Sequence, residues 1–176
     1  LASYRQQHPA ETTVADELIT FVQNNRDCFE RSLLSGHVTG SAWLVNEAST
    51  HVLLTHHRKL DRWLQLGGHA DGEADVLSVA LREAQEESGL TGIELAHSSI
   101  FDIDIHPIPA RKTEPEHLHY DVRFAFRAIG DQCFVVSDES NQLAWVPVVG
   151  LEDVVQDASM LRMAEKWLAK ANQSVS

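Results

Sequence analysis

The sequence predicts a mixed α/β domain, in which helices pack on a sheet, from three observations. Helical and β-type patterns follow one another as helix, strands, helix, strands and helices, an order that does not match regular βαβ winding. The 176 residues are the size of one ordinary domain. The chain contains 43% hydrophobic and 23% charged residues, close to the globular average. We therefore expect one domain around a single core.

The N-terminal third begins with a helical pattern. The apolar residues at three-and-four spacing are Val14, Leu18, Ile19 and Val22, and they follow the expected N-caps Thr12 and Thr13. A second, short helical segment is expected over 27–34. After Gly36 the period becomes that of a strand, and 36–46 and 50–58 are predicted to form a hairpin around a turn at 46–49.

The central helix has the clearest boundaries in the sequence. A loop through Gly67 and Gly68 is expected to lead into a helix over 75–88, which ends at Gly89 as its C-cap. Two β-rich segments follow, 93–106 and 117–128, separated by a proline-rich loop. In both segments polar and apolar residues alternate, which predicts one solvent-exposed face on each strand. A strand over 143–148, a short helix near 151–155 and an amphipathic helix over 159–170 complete the chain.

Composition excludes several classes of function. A net charge of −12 repels polyanions, so we expect no nucleic-acid polymer as a partner. No segment approaches the roughly 20 apolar residues of a membrane-spanning helix, so we expect no membrane partner. Cys28 and Cys133 form no framework pattern and are expected to be free thiols, as is usual in the cytoplasm.

Three glutamates at the end of the central helix indicate a metal site. Glu83, Glu86 and Glu87 are spaced i, i+3 and i+4, so they share about one 100° stripe of the helix. Like charges at these spacings cost roughly 0.2–0.5 kcal/mol per pair, a cost that a bound cation relieves. Oxygen ligands suit Mg²⁺, Mn²⁺ or Ca²⁺, and Mg²⁺ in particular is usually held by a few carboxylates plus substrate phosphates. A solvated acidic face is the alternative interpretation of the spacing alone.

The surrounding string resembles the Nudix box of the Nudix hydrolase superfamily. That pattern is a glycine, five residues, Glu, seven residues, then Arg-Glu-aliphatic-x-Glu-Glu-x-Gly-aliphatic. Gly68 and the run REAQEESGL, from Arg82 to Leu90, match eight of the nine defined positions over 23 residues. The departure is Ala74, which stands where the family has its first glutamate, and Glu73 is the neighbouring acid that could replace it.

The resemblance implies a fold and a division of the chain. The fold would be a Nudix-type α/β/α sandwich with a mixed sheet, formed by residues 36–176. Residues 1–35 lie outside the resemblance and are expected to form an N-terminal helical extension packed on this domain. Many Nudix enzymes are dimers, so a homodimer is one expected arrangement.

The resemblance also implies site residues. Glu83, Glu86, Glu87 and the carbonyl of Gly68 would hold Mg²⁺ or Mn²⁺ against a diphosphate, and Arg82 belongs to the same catalytic motif. A bound divalent ion lowers the pKa of a water that attacks phosphorus, and a carboxylate takes the proton. The candidates for this base are Glu87 and Glu139, which stands six residues before Trp145. Alternative bases are Asp138, Glu114 and Glu116.

Histidines and one tryptophan are the candidate substrate-binding residues. His69 follows the glycine pair, Trp63 precedes it, and Arg58 belongs to a basic strand end that could meet a phosphate. His117 and His119 project from one face of their strand. They are interpreted as a cleft wall, as a second metal site of imidazole type, or as an ordinary solvated face.

The sequence therefore favours a divalent-metal-dependent pyrophosphohydrolase. Its substrate would be a small molecule, a nucleoside diphosphate linked to another moiety. The alternative is a Nudix-fold module that binds a nucleotide, or senses it, with weak or no catalysis, as Ala74 would permit. An isomerase of the isopentenyl diphosphate type is disfavoured, since the glutamate run is intact and no cysteine lies near the expected site.

Overall fold

A computed structural model describes residues 1–58, 60–110, 115–136 and 140–173. The helices are α1 (Ala2–Gln7), α2 (Thr12–Asn24), α3 (Val76–Ser88) and α4 (Ala158–Gln173), with short 3₁₀ helices at Pro9–Glu11 and Leu151–Asp153. The strands are β1 (Gly36–Val45), β2 (His51–His57), β3 (Arg62–His69), β4 (Ile93–Leu95), β5 (Asp102–Ile108), β6 (His117–Ala128) and β7 (Ser140–Pro147).

The strands form one mixed sheet in the order β4, β6, β1, β3, β2, β7, and β5 also pairs with β6. β1 and β6 run parallel through the centre, where His37 lies beside His119. The remaining pairs are antiparallel. The predicted hairpin is present, but β1 and β2 share only the register pair Val45 and Val52 before β3 inserts between them.

Helices cover both faces of the sheet, as the α/β/α expectation requires. Successive strand residues point to opposite faces. Ala42 joins Leu18 of α2 and Ala80 of α3 in one core, whereas Trp43 joins Met160 and Trp167 of α4 in the other. The site described below therefore rests on a sheet with a packed core on each side.

Several predicted elements are confirmed. α3 begins after Asp75, whose carboxylate accepts hydrogen bonds from Ser78, and it ends at Gly89 with φ 71°. β6 spans the predicted 117–128, and α4 extends the predicted terminal helix at both ends. In the part of the chain that the structure describes, every helix is too short or too polar to cross a lipid bilayer.

Other expectations are wrong. Residues 27–34 form successive turns and not a helix, with hydrogen bonds such as Glu30 N–H to the Asp27 carbonyl at 2.9 Å. Thr12 and Thr13 lie inside α2, which begins after Glu11 without a side-chain cap. Gly67 and Gly68 belong to β3 and not to a loop, because both pair with β1.

The polar face of β5 and β6 was expected to be exposed to solvent, but part of it is buried. Asp102 is 0% exposed, and Asp121 and Arg123 are each 2% exposed. Arg123 donates to Asp121 at 2.7 Å and to Asp102 at 3.3 Å, and Lys166 of α4 donates to Asp102 at 2.6 Å. These pairings compensate the cost of removing the charges from water, so polar alternation here marks a covered face.

Candidate functional site

α3 brings the glutamates of the box against the centre of the sheet. Its apolar residues Val79, Ala80 and Ala84 are buried. Gly40 of β1 permits this approach, since a Cβ there would lie 3.0 Å from both the Val76 carbonyl oxygen and a Val79 methyl. The last two turns of α3 consequently reach β3 at Gly67 and Gly68.

The carboxylate of Glu83 lies directly over Gly68. A Cβ on Gly68 would be 2.4 Å from Glu83 Oε2, so only a glycine leaves room for this carboxylate. Arg82 holds the same group through an Nη1 to Oε1 distance of 2.7 Å. The Glu83 side chain is 15% exposed, and the geometry fixes one carboxylate at the strand surface.

Glu87 reaches the neighbouring residue of β3. Its Oε1 accepts a hydrogen bond from the Gly67 backbone N–H at 2.9 Å. Glu83 and Glu87, one turn apart on α3, therefore meet two consecutive residues of one strand. Their carboxylates provide oxygen donors of the kind that hard divalent cations prefer.

Glu86 lies on the open side of the helix. Its side chain is 61% exposed, and its Oε2 is 3.4 Å from Arg82 Nη1. Arg82 also donates to the carbonyl oxygen of His69 at 3.1 Å. Arg82 thus links the end of β3 to two of the three glutamates.

Ala74 leaves Arg82 without the acidic partner expected from the box pattern. Ala74 is exposed, and the neighbouring Glu73 uses Oε1 to accept a hydrogen bond from Asp75 N–H at 2.8 Å. Within the described residues, Glu73 therefore serves the entry to α3 and does not pair with Arg82. The His69 carbonyl and the acidic neighbours on α3 orient the arginine instead.

A group of histidines lies on the sheet face opposite α3. It comprises His37 of β1, His69 of β3, His106 of β5, and His117 and His119 of β6. We call it the histidine cluster. Its ring centroids are 4.8 Å apart for His37 and His119, and 5.2 Å apart for His69 and His119. β5 pairs antiparallel with β6, which sets His106 opposite His119.

Two imidazoles of the cluster, His37 and His119, have lowered pKa values and are uncharged at neutral pH. Burial lowers the pKa of His119 to about 2, and the charges of His69 and His37 act in the same direction. Burial also lowers the pKa of His37 to about 4, assisted by His69 and His117. His106 instead contacts the Asp104 carboxylate, with 2.9 Å between its Nδ1 and Asp104 Oδ2. The cluster is thus a set of nitrogen donors at one end of a buried charge network.

The structure does not bring Trp63 and Arg58 to the box. Trp63 is on the same face as His69, but six residues earlier on β3, which is about 20 Å at roughly 3.3 Å per residue. Its ring stands edge-on to His56 at 5.2 Å. Arg58 is exposed and donates to Asn141 at 3.4 Å.

Of the candidate bases, Glu87 lies in the site described here. Glu139, Asp138 and Glu114 fall outside the described residues. Glu116 is described and is exposed just before β6.

Sequence reasoning missed His37 as a site residue. The signal was available, because His37, Thr39 and Ser41 occupy alternate positions of β1 and so share one face. What the sequence could not supply was the parallel pairing of β1 with β6, which lies about 80 residues away and brings His37 beside His119.

Comparisons with known proteins found one family model and a number of similar solved structures. A family model described as NUDIX domain matches residues 36–166. No curated protein matches the chain. The chain is similar in structure to a C. elegans Ap4A hydrolase in a binary complex, with 16% identity, a TM-score of 0.57, and coverage of 77% of this chain and 98% of that chain.

Two further solved structures are similar to the chain. A Nudix hydrolase from M. smegmatis, RenU, has 18% identity and a TM-score of 0.56, with 80% of this chain and 89% of that chain covered. The MutT protein from Methanosarcina mazei Go1 has 16% identity and a TM-score of 0.57, with 79% and 97% covered. At these identities the likeness establishes the fold.

Proposed function

This chain belongs to the NUDIX family, and we propose that it is a divalent-metal-dependent pyrophosphohydrolase that cleaves a nucleoside diphosphate linked to another moiety. One observation carries the proposal: Glu83 and Glu87 are fixed by α3 against Gly68 and Gly67 of β3. Carboxylates held at a strand surface are the groups with which a protein binds a metal and a diphosphate together.

The proposed metal is Mg²⁺ or Mn²⁺. Its ligands would be Glu83, Glu86, Glu87 and the carbonyl of Gly68, a donor set made only of oxygen atoms, which fits a hard cation and disfavours softer ions. When bound, such an ion screens phosphate charge and lowers the pKa of a coordinated water.

The protein's own residues supply position and a proton acceptor. Arg82 contacts both Glu83 and Glu86, and it fixes them relative to the His69 carbonyl. Glu87 is the proposed base within the described residues, and Glu139 is its rival from the late loop. Either carboxylate would take the proton of the attacking water.

The substrate is proposed to lie across the sheet face beside the box. In this proposal His69, His117 and His119, on the sheet face opposite α3, would form one wall of this region and contact phosphate or ribose. Trp63 and Arg58 would meet only a substrate that extends about 20 Å along β3 from His69. The solved relatives include an Ap4A hydrolase and a MutT protein, which supports a small nucleotide-type substrate.

Free Cys28 and Cys133 fit a reducing, cytoplasmic setting.

The alternative function is a nucleotide-binding or sensor module without efficient catalysis. Ala74 favours it, because this position lacks the acid that would pair with Arg82. The contacts of Arg82 with Glu83, Glu86 and the His69 carbonyl weigh against it, since they orient the arginine without that acid.

A substrate panel separates the two functions. The full chain is incubated with nucleoside triphosphates, ADP-ribose, dinucleoside polyphosphates and coenzyme A, each with Mg²⁺, Mn²⁺ or a chelator, and the products are resolved by chromatography. We expect metal-dependent cleavage of one compound class at a phosphoric anhydride. Thermal stabilisation by a nucleotide without cleavage of any compound would contradict the hydrolase and support the binding module.

A further inference from the structure

The histidine cluster contains three imidazoles whose nitrogen atoms lie together. One ring nitrogen from each of His37, His117 and His119 falls within a group in which all atoms are within 4.8 Å of one another. His37 and His119 are register partners on the parallel strands β1 and β6, and His117 is two residues along the same face. The backbone therefore sets the separation of these rings.

His37 is buried without the polar contacts that buried imidazoles normally have. It is 3% exposed, and neither ring nitrogen makes a hydrogen bond of normal geometry within the described residues. A backbone contact with Leu33 raises the pKa of His37, but burial of the ring lowers this pKa by more. Since a buried polar atom without a partner is costly, the ring nitrogen that the Leu33 contact does not engage indicates a missing ligand.

His117 is oriented as a metal ligand would be. Its Nδ1 is 2.9 Å from the Pro115 carbonyl oxygen, an acceptor, so Nδ1 carries the hydrogen and Nε2 presents its lone pair. This Nε2 is 3.4 Å from the Nε2 of His119. Two nitrogens at 2.0–2.1 Å from a tetrahedral ion are about 3.3–3.4 Å apart, whereas a hydrogen bond between them would be nearer to about 2.9–3.0 Å.

Neighbouring acids are already engaged and do not compete for the ion. The Asp121 carboxylate accepts hydrogen bonds from Thr39 at 2.9 Å, Ser41 at 2.8 Å and Arg123 at 2.7 Å. Asp104 is paired with His106. The group that points into the centre of the cluster is therefore made of imidazole nitrogens.

We propose that His37, His117 and His119 bind one divalent transition-metal ion, with Zn²⁺ the best fit, at a site separate from the carboxylates of α3. Imidazole donors suit Zn²⁺, Cu²⁺ and Ni²⁺, and the oxygen donors of α3 suit Mg²⁺ and Mn²⁺, so the two sites select different ions. Three protein ligands leave a fourth tetrahedral position for water or an anion. With the ion bound, a ligand in its fourth position would contact His117 and His119 through the ion.

The test measures metal binding without any substrate, so its outcome does not depend on the proposed hydrolysis. The full chain is stripped with a chelator, exchanged into chelator-free buffer and titrated with Co²⁺, whose visible d–d absorption becomes intense when the ion is held in a four-coordinate site. Zn²⁺ is then added as a competitor. We expect one Co²⁺ per chain with an intense visible band that Zn²⁺ removes.

Variants assign the band to its ligands. His117→Gln and His119→Gln are made on half-buried side chains, and both are expected to weaken Co²⁺ binding by more than the roughly 10–100-fold typical of losing an outer-shell partner. His51→Gln on β2 is the matched control, and it should bind Co²⁺ like the wild type. Glu87→Gln should also keep the band, because it belongs to the other site.

A second readout keeps the test independent of folding losses in the variants. In ¹⁵N NMR spectra of the wild type, Zn²⁺ should shift the Nε2 resonance of His117 and leave that of His51 unchanged. The proposal is overturned if the wild type shows no stoichiometric Co²⁺ band and no Zn²⁺-induced shift. It is also overturned if both histidine variants bind like the wild type, or if Glu87→Gln is the variant that loses the band.

Discussion

Gly68 is the residue on which the position of Glu83 depends. An alanine Cβ would lie 2.4 Å from Glu83 Oε2, so Gly68→Ala must displace the carboxylate and its contact with Arg82. The obstructed group is the end of a flexible side chain, so the fold should persist. We expect turnover and Mn²⁺ affinity to fall by about 10–100-fold, the range seen when the support of a metal ligand is lost.

Mn²⁺ titration by electron paramagnetic resonance and initial-rate kinetics check this expectation, and circular dichroism verifies the fold. Mn²⁺ affinity and turnover equal to those of the wild type would contradict the role given to Gly68.

Replacing Ala74 by the family's glutamate is a second test of a single residue. Because Arg82 is already held by the His69 carbonyl and by acids of α3, restoring the family's glutamate should add little. Exposed substitutions typically change free energies by less than about 0.5 kcal/mol, so Ala74→Glu should change kcat/KM by no more than about twofold. Steady-state kinetics on the substrate identified by the panel measure this. A tenfold gain would mean that the orientation of Arg82 limits the natural protein.

Single residues also mark the limit of sequence reasoning. The glutamates and Gly68 were predictable because a motif spans them within 23 consecutive positions. His37 was not, because its partners belong to β6 and local alternation does not reveal which strands pair. Trp63 and Arg58 are near Gly67 in sequence, but an extended strand separates them from the box.

Charge pairs join α4 to β5 and to the N-terminal segment. Arg162 donates to Asp102 at 2.7 and 2.9 Å, and Lys166 bridges Asp102 to Glu11 at 2.6 and 2.8 Å. The alternation of polar and apolar residues predicted that the polar faces of β5 and β6 are exposed. This pattern does not show whether such a face contacts water or the side chains of arginine and lysine. Glycines in β3 likewise suggested a loop, although here Gly68 leaves room for the Glu83 side chain of α3.

The acid stability of this network can be tested at Asp104. Burial raises the pKa of Asp104, but the hydrogen bond with His106 and the charges of Arg123 and Arg162 outweigh it and lower the pKa to about 2. A carboxyl whose pKa is lower in the folded state contributes stability above its unfolded pKa of about 4. This contribution is lost as the pH falls from about 4 towards 2.

Asp104→Asn should therefore reduce the loss of unfolding free energy between pH 5 and pH 2. We expect a reduction of about 1–2 kcal/mol after allowance for solvent screening. Urea unfolding at each pH measures it. Asp16→Asn is the control, since Asp16 is a surface partner of Arg5 and 49% exposed. An acid limb that is equally steep in wild type and Asp104→Asn would contradict the assignment.

The N-terminal segment contacts the loop that leads from β3 into α3. Arg31 pairs with Asp71 through two contacts of 2.5 and 2.6 Å, and Gly72 N–H donates to the Phe29 carbonyl at 3.0 Å. Phe21 of α2 also stacks on Tyr120 of β6 at 3.7 Å. We propose that residues 1–35 are an extension packed on the domain formed by 36–176.

Arg31→Ala tests how this extension is attached. The side chains of the Arg31–Asp71 pair are 56% and 48% exposed, and exposed pairs contribute only about 0.2–1 kcal/mol. We expect the free energy of unfolding to fall by less than about 1 kcal/mol, while amide exchange at Gly72 becomes faster because the loop loses a restraint. Denaturant unfolding and hydrogen exchange measure the two effects. Unchanged exchange at Gly72 would show that the ion pair does not restrain the loop.

The proposed hydrolysis depends on the glutamates of α3 acting through a metal. The most direct test is turnover of the best panel substrate with saturating Mg²⁺ or Mn²⁺ by the wild type, Glu87→Gln and the exposed control Glu165→Gln. Glutamine keeps an oxygen that can accept the Gly67 hydrogen bond, so Glu87→Gln should fold like the wild type.

We predict that Glu87→Gln loses more than about 100-fold in turnover, since a direct ligand is worth more than the outer-shell partners that contribute about 10–100-fold. Glu165→Gln should keep full activity, and a chelator should abolish the activity of the wild type. Near-wild-type turnover by folded Glu87→Gln, or turnover that survives the chelator, would contradict a metal-dependent role for the glutamates of α3.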